Sequence, residues 1–140
     1  MEEKRGLYPL HIGISVADME QSVRWYHDWL DFEPVSQVSV EHIRCDIAVL
    51  RQKGSGFELE LFRHWDTIPV PRERLDPDED MITQGTKHIC FYVTGLEEKI
   101  AQMRAAGVTI VCGPGKMDPY TFYYIQDPSG VLIELSEILD

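Results

Sequence analysis

Residues 123–137 read YYIQDPSGVLIELSE, and this stretch decides the fold. Its centre, residues 127–130, is predicted to be a turn, because Pro128 presets its own φ and Gly130 takes the positive φ that chain reversal requires. The β-rich runs on both sides predict a hairpin. Side chains on the return strand alternate between two faces, with Val131, Ile133 and Leu135 on one and Leu132, Glu134 and Ser136 on the other. The hairpin therefore sets the Glu134 carboxylate between apolar neighbours, and burial of that group is costly unless it is paired or binds a metal.

The first half of the chain repeats this arrangement around Glu60. Residues 57–62 read FELELF and alternate strictly, which places Glu58, Glu60 and Phe62 on one face. Each half also opens with a similar strand, since HIGISV at 11–16 matches HICFYV at 88–93 position for position. One glutamate on an edge strand, taken alone, fits a solvated outer face. Two equivalent combinations, His11 with Glu60 and His88 with Glu134, favour a common function.

A helix and further strands follow the first strand in each half. Asp18 is a predicted N-cap, and apolar residues then recur at helical spacing in both halves, at Met19, Val23, Tyr26 and Leu30 and at Leu96, Ile100 and Met103. We end the first helical unit at Pro34 and place the next strand at 43–50. The chain thus reads as a duplicated strand–helix–strand–strand–strand unit of the α+β class.

The two repeats span residues 9–63 and 86–137 of a single domain, 1–140, and a linker at 64–85 joins them. We expect the acidic cluster of this linker to form a solvated loop (Asp76, Asp78, Glu79 and Asp80). Leu50 and Tyr124 each lie ten residues before a repeated glutamate. Each interval spans a Gly-bearing hairpin turn, and the equal spacing supports the duplication.

Composition limits the classes of partner. The 140 residues carry a net charge of −11, which argues against nucleic acid or an anionic membrane as a partner. No apolar run approaches the ~20 residues that span a bilayer. No apolar segment follows residues 1–5, so we expect no signal peptide. The cysteines are too widely spaced for a disulfide framework or a zinc finger (Cys45, Cys90 and Cys112). We therefore expect a cytoplasmic protein with reduced thiols.

The repeat predicts a metal site. In each half, the histidine and the glutamate point away from the apolar face that the helix must cover. The opposite faces carry polar and small side chains, which fit a cavity better than a dry core. Two imidazoles and two carboxylates from His11, Glu60, His88 and Glu134 suit one divalent ion of Zn, Ni, Fe, Mn or Co. Four ligands on an octahedral ion leave two positions for water or substrate, which is typical of a catalytic site.

From about Pro9 to Glu137, the chain resembles the vicinal oxygen chelate superfamily, which includes glyoxalase I, extradiol dioxygenases and the fosfomycin- and bleomycin-resistance proteins. The resemblance is carried by the His11 strand with its helix and by four short motifs, LEL at 59–61, GTKHI at 85–89, DPSG at 127–130 and IEL at 133–135. It implies two βαβββ modules whose sheets form an incomplete barrel around a metal ion.

The ligand set is most similar to that of glyoxalase I proteins, which use His, Glu or Gln, His and Glu. Two departures concern glutathione. Ser15 and His64 stand where bacterial glyoxalase I proteins carry an Arg and an Asn that bind the glutathione carboxylates. The resemblance therefore does not extend to glutathione as the thiol. Arg44 and Arg63 are alternative candidates for holding an anionic substrate.

The reaction that these ligands imply is that of a metal-dependent lyase or isomerase. A substrate would chelate the ion through two neighbouring oxygens, and an enediolate would form on loss of a proton next to a carbonyl. Glu134 is the predicted general base, and Glu60 is its counterpart. One alternative is a non-catalytic protein that binds an antibiotic or a metabolite. An aromatic groove would favour this alternative, and four residues could line one (Tyr92, Tyr120, Phe122 and Tyr124). A ring-cleaving dioxygenase is a further alternative, which Glu60 disfavours because dioxygenases leave that position open.

We also expect a homodimer. Trp25 and Trp29 lie beside the core row of the first helix and make it apolar over a wide arc. A helix of this kind needs a second covering surface. The alternative is a monomer whose own linker covers the two tryptophans. A dimer is also usual in the superfamily that the chain resembles.

Overall fold

The computed structural model describes residues 6–139. The chain divides between Asp66 and Thr67 into two compact units, and each unit has the order strand, helix and three strands. This confirms the predicted α+β fold of two βαβββ modules. The segment for which we expect no signal peptide, residues 1–5, lies outside the described residues. No helix within 6–139 combines the length and the apolar character that crossing a membrane requires.

The first unit is one four-stranded sheet with a helix on one face. Its elements are β1 (His11–Ser15), α1 (Met19–Leu30), β2 (Phe32–Val40), β3 (Cys45–Gln52) and β4 (Glu58–His64). The strand order is β1-β4-β3-β2, with β1 parallel to β4 and the other pairs antiparallel. The carboxylate of Asp18 accepts a hydrogen bond from the Gln21 N–H at 3.0 Å, which confirms the predicted N-cap. The buried residues of α1 then recur one turn apart, at Met19, Ser22, Tyr26 and Leu30.

The second unit repeats this topology. A 3₁₀ turn (Arg72–Arg74) and a short helix, α2 (Pro77–Asp80), precede the repeat, whose elements are β5 (Ile89–Tyr92), α3 (Leu96–Ala105), β6 (Ile110–Met117), β7 (Tyr120–Gln126) and β8 (Leu132–Ile138). The strand order is β5-β8-β7-β6, with β5 parallel to β8. Gly95, before α3, has no side chain to act as a cap. The Glu137 carboxylate caps α3 in its place, since it accepts hydrogen bonds from the N–H groups of Gly95 at 2.6 Å and Leu96 at 3.2 Å.

The hairpin between β7 and β8 has the predicted turn. Gly130 has a φ of 90°, and its N–H donates to the Asp127 carbonyl at 3.0 Å. The Asp127 side chain, only 4% exposed, accepts the N–H groups of Ser129 and Val131. The sequence assigned Leu132 and Ser136 to the Glu134 face without indicating their burial. In the structure Leu132 is 3% exposed and Ser136 is 4% exposed. The polar face of β8 is therefore well covered near its ends.

The strand β2 was missed by the sequence analysis, which ended the helical unit at Pro34 and began the next strand at 43. The structure instead has a nine-residue strand with Pro34 inside it, and Ile43 lies in a 3₁₀ turn (Glu41–Ile43). β2 is the outer strand of its sheet, so the missing N–H of a proline is tolerated there, and a register shift follows directly between Pro34 and Ser36. Most of its side chains are exposed, so the strand has no buried alternating face to reveal it.

The expectation of a solvated acidic linker was also wrong at one residue. Asp80 is 2% exposed, and its carboxylate lies 2.9 Å from the Arg74 Nε and 3.3 Å from the Lys87 Nζ. Burial raises the pKa of Asp80, but the hydrogen bonds and charges of the two cations more than offset this, so the pKa lies below its ordinary value. The Lys87 ammonium also donates to the carbonyls of Asp80 and Thr83. This cluster fixes the segment that leads into β5.

Candidate metal centre

In the first unit, His11 and Glu60 form a pair on neighbouring strands. His11 begins β1, and Glu60 is in the middle of β4, where its partner across the ladder is Gly13. The His11 Nε2 lies 3.1 Å from a carboxylate oxygen of Glu60. The two side chains are 34% and 22% exposed, so the pair can be reached from solvent.

The second unit repeats the pair with His88 and Glu134. His88 directly precedes β5, and Glu134 lies in β8 opposite Cys90. The His88 Nε2 lies 2.8 Å from a carboxylate oxygen of Glu134, with side-chain exposures of 29% and 19%. The structure therefore brings each histidine together with the glutamate of its own repeat. Within residues 6–139 it forms no group of three or more candidate ligands, so the convergence of all four on one ion stays a prediction.

Within each pair, the geometry fits two adjacent ligands of a metal ion. With metal–ligand bonds of about 2.1 Å, two ligand atoms at right angles on an octahedral ion lie about 3.0 Å apart. The nitrogen–oxygen distances of 3.1 Å and 2.8 Å bracket that spacing. The donor set of imidazole nitrogens and carboxylate oxygens is also the one that borderline divalent ions prefer. The residues present thus fit a metal ion.

A cavity of about 470 Å³ opens beside Glu134 on the sheet of the second unit. The register of the strands explains its lining, because Cys90, Glu134 and Tyr124 stand opposite one another across β5, β8 and β7. The four aromatic residues that the sequence analysis placed along a groove all line this cavity, together with Met117 and Ser136 (Tyr92, Tyr120, Phe122 and Tyr124). Among residues 6–139, no lysine or arginine lines this cavity. The cavity therefore suits an apolar or aromatic group without negative charge.

Two hydroxyl groups hold the Glu134 carboxylate. The Tyr124 hydroxyl donates to the Oε2 at 3.3 Å, and the Ser136 hydroxyl donates to the Oε1 at 2.9 Å. Burial, and then the negative charge of Glu134, raise the pKa of Tyr124 to about 12, so this phenol keeps its proton at neutral pH. The sequence analysis missed both contacts. The contact with Ser136 could have been predicted from the sequence, since Ser136 lies two residues after Glu134 on the same strand face.

The two arginines considered for an anionic substrate are already paired. Arg44 lies 3.0 Å from Asp66 and stacks over the Trp65 ring, 5.3 Å from its centroid. Arg63 lies 3.7 Å from Asp46. The carboxylates offset both positive charges, so these arginines are poorly suited to bind an anion.

The chain matches the family model described as Glyoxalase/Bleomycin resistance protein/Dioxygenase superfamily over residues 9–135. A Salmonella typhimurium protein described as a virulence protein is 26% identical over 132 residues, which cover 91% of this chain and 81% of that protein.

Solved structures share the fold at low sequence identity. A glyoxalase family protein from Bacillus cereus has a TM-score of 0.77 at 18% identity, covering 100% of this chain and 99% of its own. The trypanothione-dependent glyoxalase I of Leishmania major has a TM-score of 0.72 at 21% identity, covering 94% and 87%. A fosfomycin resistance protein of Listeria monocytogenes, solved with Mn(II) and sulfate, has a TM-score of 0.64 at 14% identity, covering 98% and 95%. By its family model and its fold, the chain belongs to the glyoxalase/bleomycin resistance protein/dioxygenase superfamily.

Proposed function

We propose that the chain is a metal-dependent lyase or isomerase of the glyoxalase I type. The observation that carries this proposal is the repeated pair of an imidazole and a carboxylate at ligand spacing, His11 with Glu60 and His88 with Glu134. In the proposal, these four side chains share one divalent ion of Zn, Ni, Fe, Mn or Co. When bound, such an ion supplies a Lewis acid that stabilises negative charge on two neighbouring substrate oxygens.

The chain's own carboxylates carry the proton transfer. Glu134 accepts a proton from the substrate carbon next to a carbonyl, and Glu60 serves as its counterpart on the other side of the planar intermediate. The aromatic cavity beside Glu134 holds the remainder of the substrate. Because no lysine or arginine of residues 6–139 lines this cavity, and because Arg44 and Arg63 are paired, an uncharged apolar or aromatic substituent fits better than the carboxylates of glutathione.

The Glu134→Gln variant tests the catalytic part of the proposal. We expect it to fold as the wild type does and to lose turnover by about 10²–10⁴-fold, because an amide cannot accept the proton. The substrate is first identified by a screen of the metal-loaded protein with hemithioacetals, 2-oxoacid derivatives and catechols. Glu20→Gln is the control, since it makes the same substitution at an exposed glutamate on α1 that pairs with Arg24. Full activity of the Glu134 variant would move the base to Glu60.

A binding protein for an apolar small molecule is the second candidate function, and the aromatic lining of the cavity favours it. One measurement distinguishes the enzyme from the binding protein. Mass spectrometry of a ligand recovered after incubation shows a changed molecule if the protein is an enzyme. It shows an unchanged molecule, retained in stoichiometric amount, if the protein only sequesters it.

We further propose a cytoplasmic homodimer. The support from α1 is limited, because Trp25 and Trp29 are half-buried within the chain, and the Trp25 ring packs edge-on against Tyr26 at 5.0 Å. Stronger support comes from the long outer strand β2, whose apolar Val35 and Val38 are 49% and 55% exposed. Sedimentation at micromolar concentration should give twice the chain mass of 16.2 kDa. A species of 16.2 kDa would contradict the dimer, and Val38→Lys should weaken it.

A further inference from the structure

The two carboxylates of the proposed metal site differ in their surroundings. Glu134 is flanked by Tyr124 across the ladder and by Ser136 along its own strand, and both hydroxyls donate to it. The corresponding neighbours of Glu60 are Val49 across the ladder and Phe62 along β4. Neither of these carries a hydroxyl. The repeat therefore preserves the histidine and the glutamate but not the donors around the glutamate.

The register of the strands reveals this difference, which equal spacing in the sequence conceals. Leu50 and Tyr124 both lie ten residues before a glutamate, yet the ladder partner of Glu60 is Val49 and that of Glu134 is Tyr124. The loop between β3 and β4 is one residue longer, so Leu50 turns to the opposite face and is completely buried. Equal spacing in the sequence therefore does not place Leu50 and Tyr124 at equivalent positions beside the two glutamates.

We propose that Tyr124 and Ser136 are positioning residues that fix the orientation of the Glu134 carboxylate towards the metal ion. Ser136 holds one oxygen of the carboxylate, and Tyr124 shares the other with the His88 imidazole. The Tyr124 ring also packs edge-on against the His88 ring, with centroids 5.1 Å apart, so one side chain orients both ligands. The His88–Glu134 pair is preorganised before the metal binds, whereas Val49 and Phe62, the corresponding neighbours of Glu60, have no hydroxyl to donate. This inference rests on the metal site of the proposed function.

These contacts should strengthen metal binding because they reduce the entropy that the glutamate side chain loses when it becomes a ligand. A glutamate side chain loses rotamer freedom when it becomes a ligand, and outer contacts that restrict it beforehand reduce that loss. Such contacts typically change metal affinity by 10–100-fold. A hydroxyl that donates to one carboxylate oxygen uses one of its two lone pairs and leaves the other available for a ligand bond.

Titration of the metal-free protein with Zn²⁺ and with Co²⁺ by calorimetry tests the proposal. Tyr124→Phe and Ser136→Ala should each weaken binding by about 10–100-fold. Ser136→Thr, which keeps the hydroxyl, should restore most of the affinity. Tyr120→Phe is the matched control, because it removes the same hydroxyl from the same strand and cavity, and Tyr120 makes no hydrogen bond to Glu134. The visible spectrum of bound Co²⁺ should change in the first two variants and not in the control.

The outcomes separate the two proposals. A wild-type protein that binds neither ion would overturn the proposed function and this inference with it. A wild-type protein that binds metal, with folded Tyr124→Phe and Ser136→Ala variants of equal affinity and spectrum, would overturn the positioning role and leave the proposed function intact. Circular dichroism and the melting midpoint of each metal-free variant show whether it is folded. If one of the two variants does not fold, the other still tests the positioning role.

Discussion

An Arg74→Met/Lys87→Met double variant is expected to lower the free energy of unfolding by about 3–5 kcal/mol. The Asp80 carboxylate is 2% exposed, and these two side chains supply its positive partners. Their removal leaves a buried charge without compensation, which costs far more than an exposed ion pair contributes. Urea unfolding at neutral pH, followed by circular dichroism, measures the loss. Each single variant should show a smaller effect, because one cation remains.

Arg24→Met provides the matched control for this prediction. Arg24 forms an ion pair with Glu20 one turn away on α1, and the two side chains are 68% and 85% exposed. Solvent screens such a pair, so the urea midpoint should stay within error of the wild type. A double variant at Arg74 and Lys87 that is as stable as the Arg24 variant would show that the Asp80 cluster does not stabilise the fold.

The stabilisation by Asp80 should depend on pH in a defined direction. The folded-state pKa of Asp80 lies below its unfolded value of about 3.9 because Arg74 and Lys87 outweigh the effect of burial. The contribution is therefore complete above about pH 4 and is lost as the pH falls through the folded-state pKa. The difference in unfolding free energy between the wild type and Asp80→Asn should be constant from pH 7 to pH 5 and should shrink below pH 4.

The sequence was sufficient to predict those features that depend on residues close together in the chain. The hairpin at 127–130 follows from proline and glycine conformation, and Asp18 caps α1 because a short carboxylate side chain reaches the next backbone N–H groups. The repeat also predicted that each histidine shares a strand face with the glutamate of its own half, and the two lie within 3.1 Å of each other in both units, while the convergence of all four on one ion stays a prediction. These features depend on few residues that are close in sequence or related by the repeat.

Features that depend on register or on exposure could not be predicted in the same way. β2 has no buried face, so its residues carry no alternating pattern. One additional loop residue places Val49 instead of Leu50 beside Glu60, and a count of residues cannot detect this shift. Asp80 looks like its acidic neighbours in sequence, and only the fold brings Arg74 and Lys87 to it. The hydroxyl contacts of Glu134 likewise required the ladder between β7 and β8.

His88→Ala is expected to weaken metal binding by more than about 100-fold, because loss of a ligand should exceed the 10–100-fold effect of losing an outer contact. His42→Ala is the control, since His42 lies in the 3₁₀ turn Glu41–Ile43. Metal content of the purified variants by mass spectrometry, followed by calorimetry, measures the effect.

The His11→Ala variant extends this test to the first unit. If both pairs hold one ion, each histidine variant should lose the metal, and the wild type should bind one ion per chain. The alternative is that each pair binds its own ion in its own unit. Two ions per chain, with each variant losing only one of them, would contradict the shared site and would make the two repeats independent centres. The stoichiometry therefore decides between one site of four ligands and two sites of two.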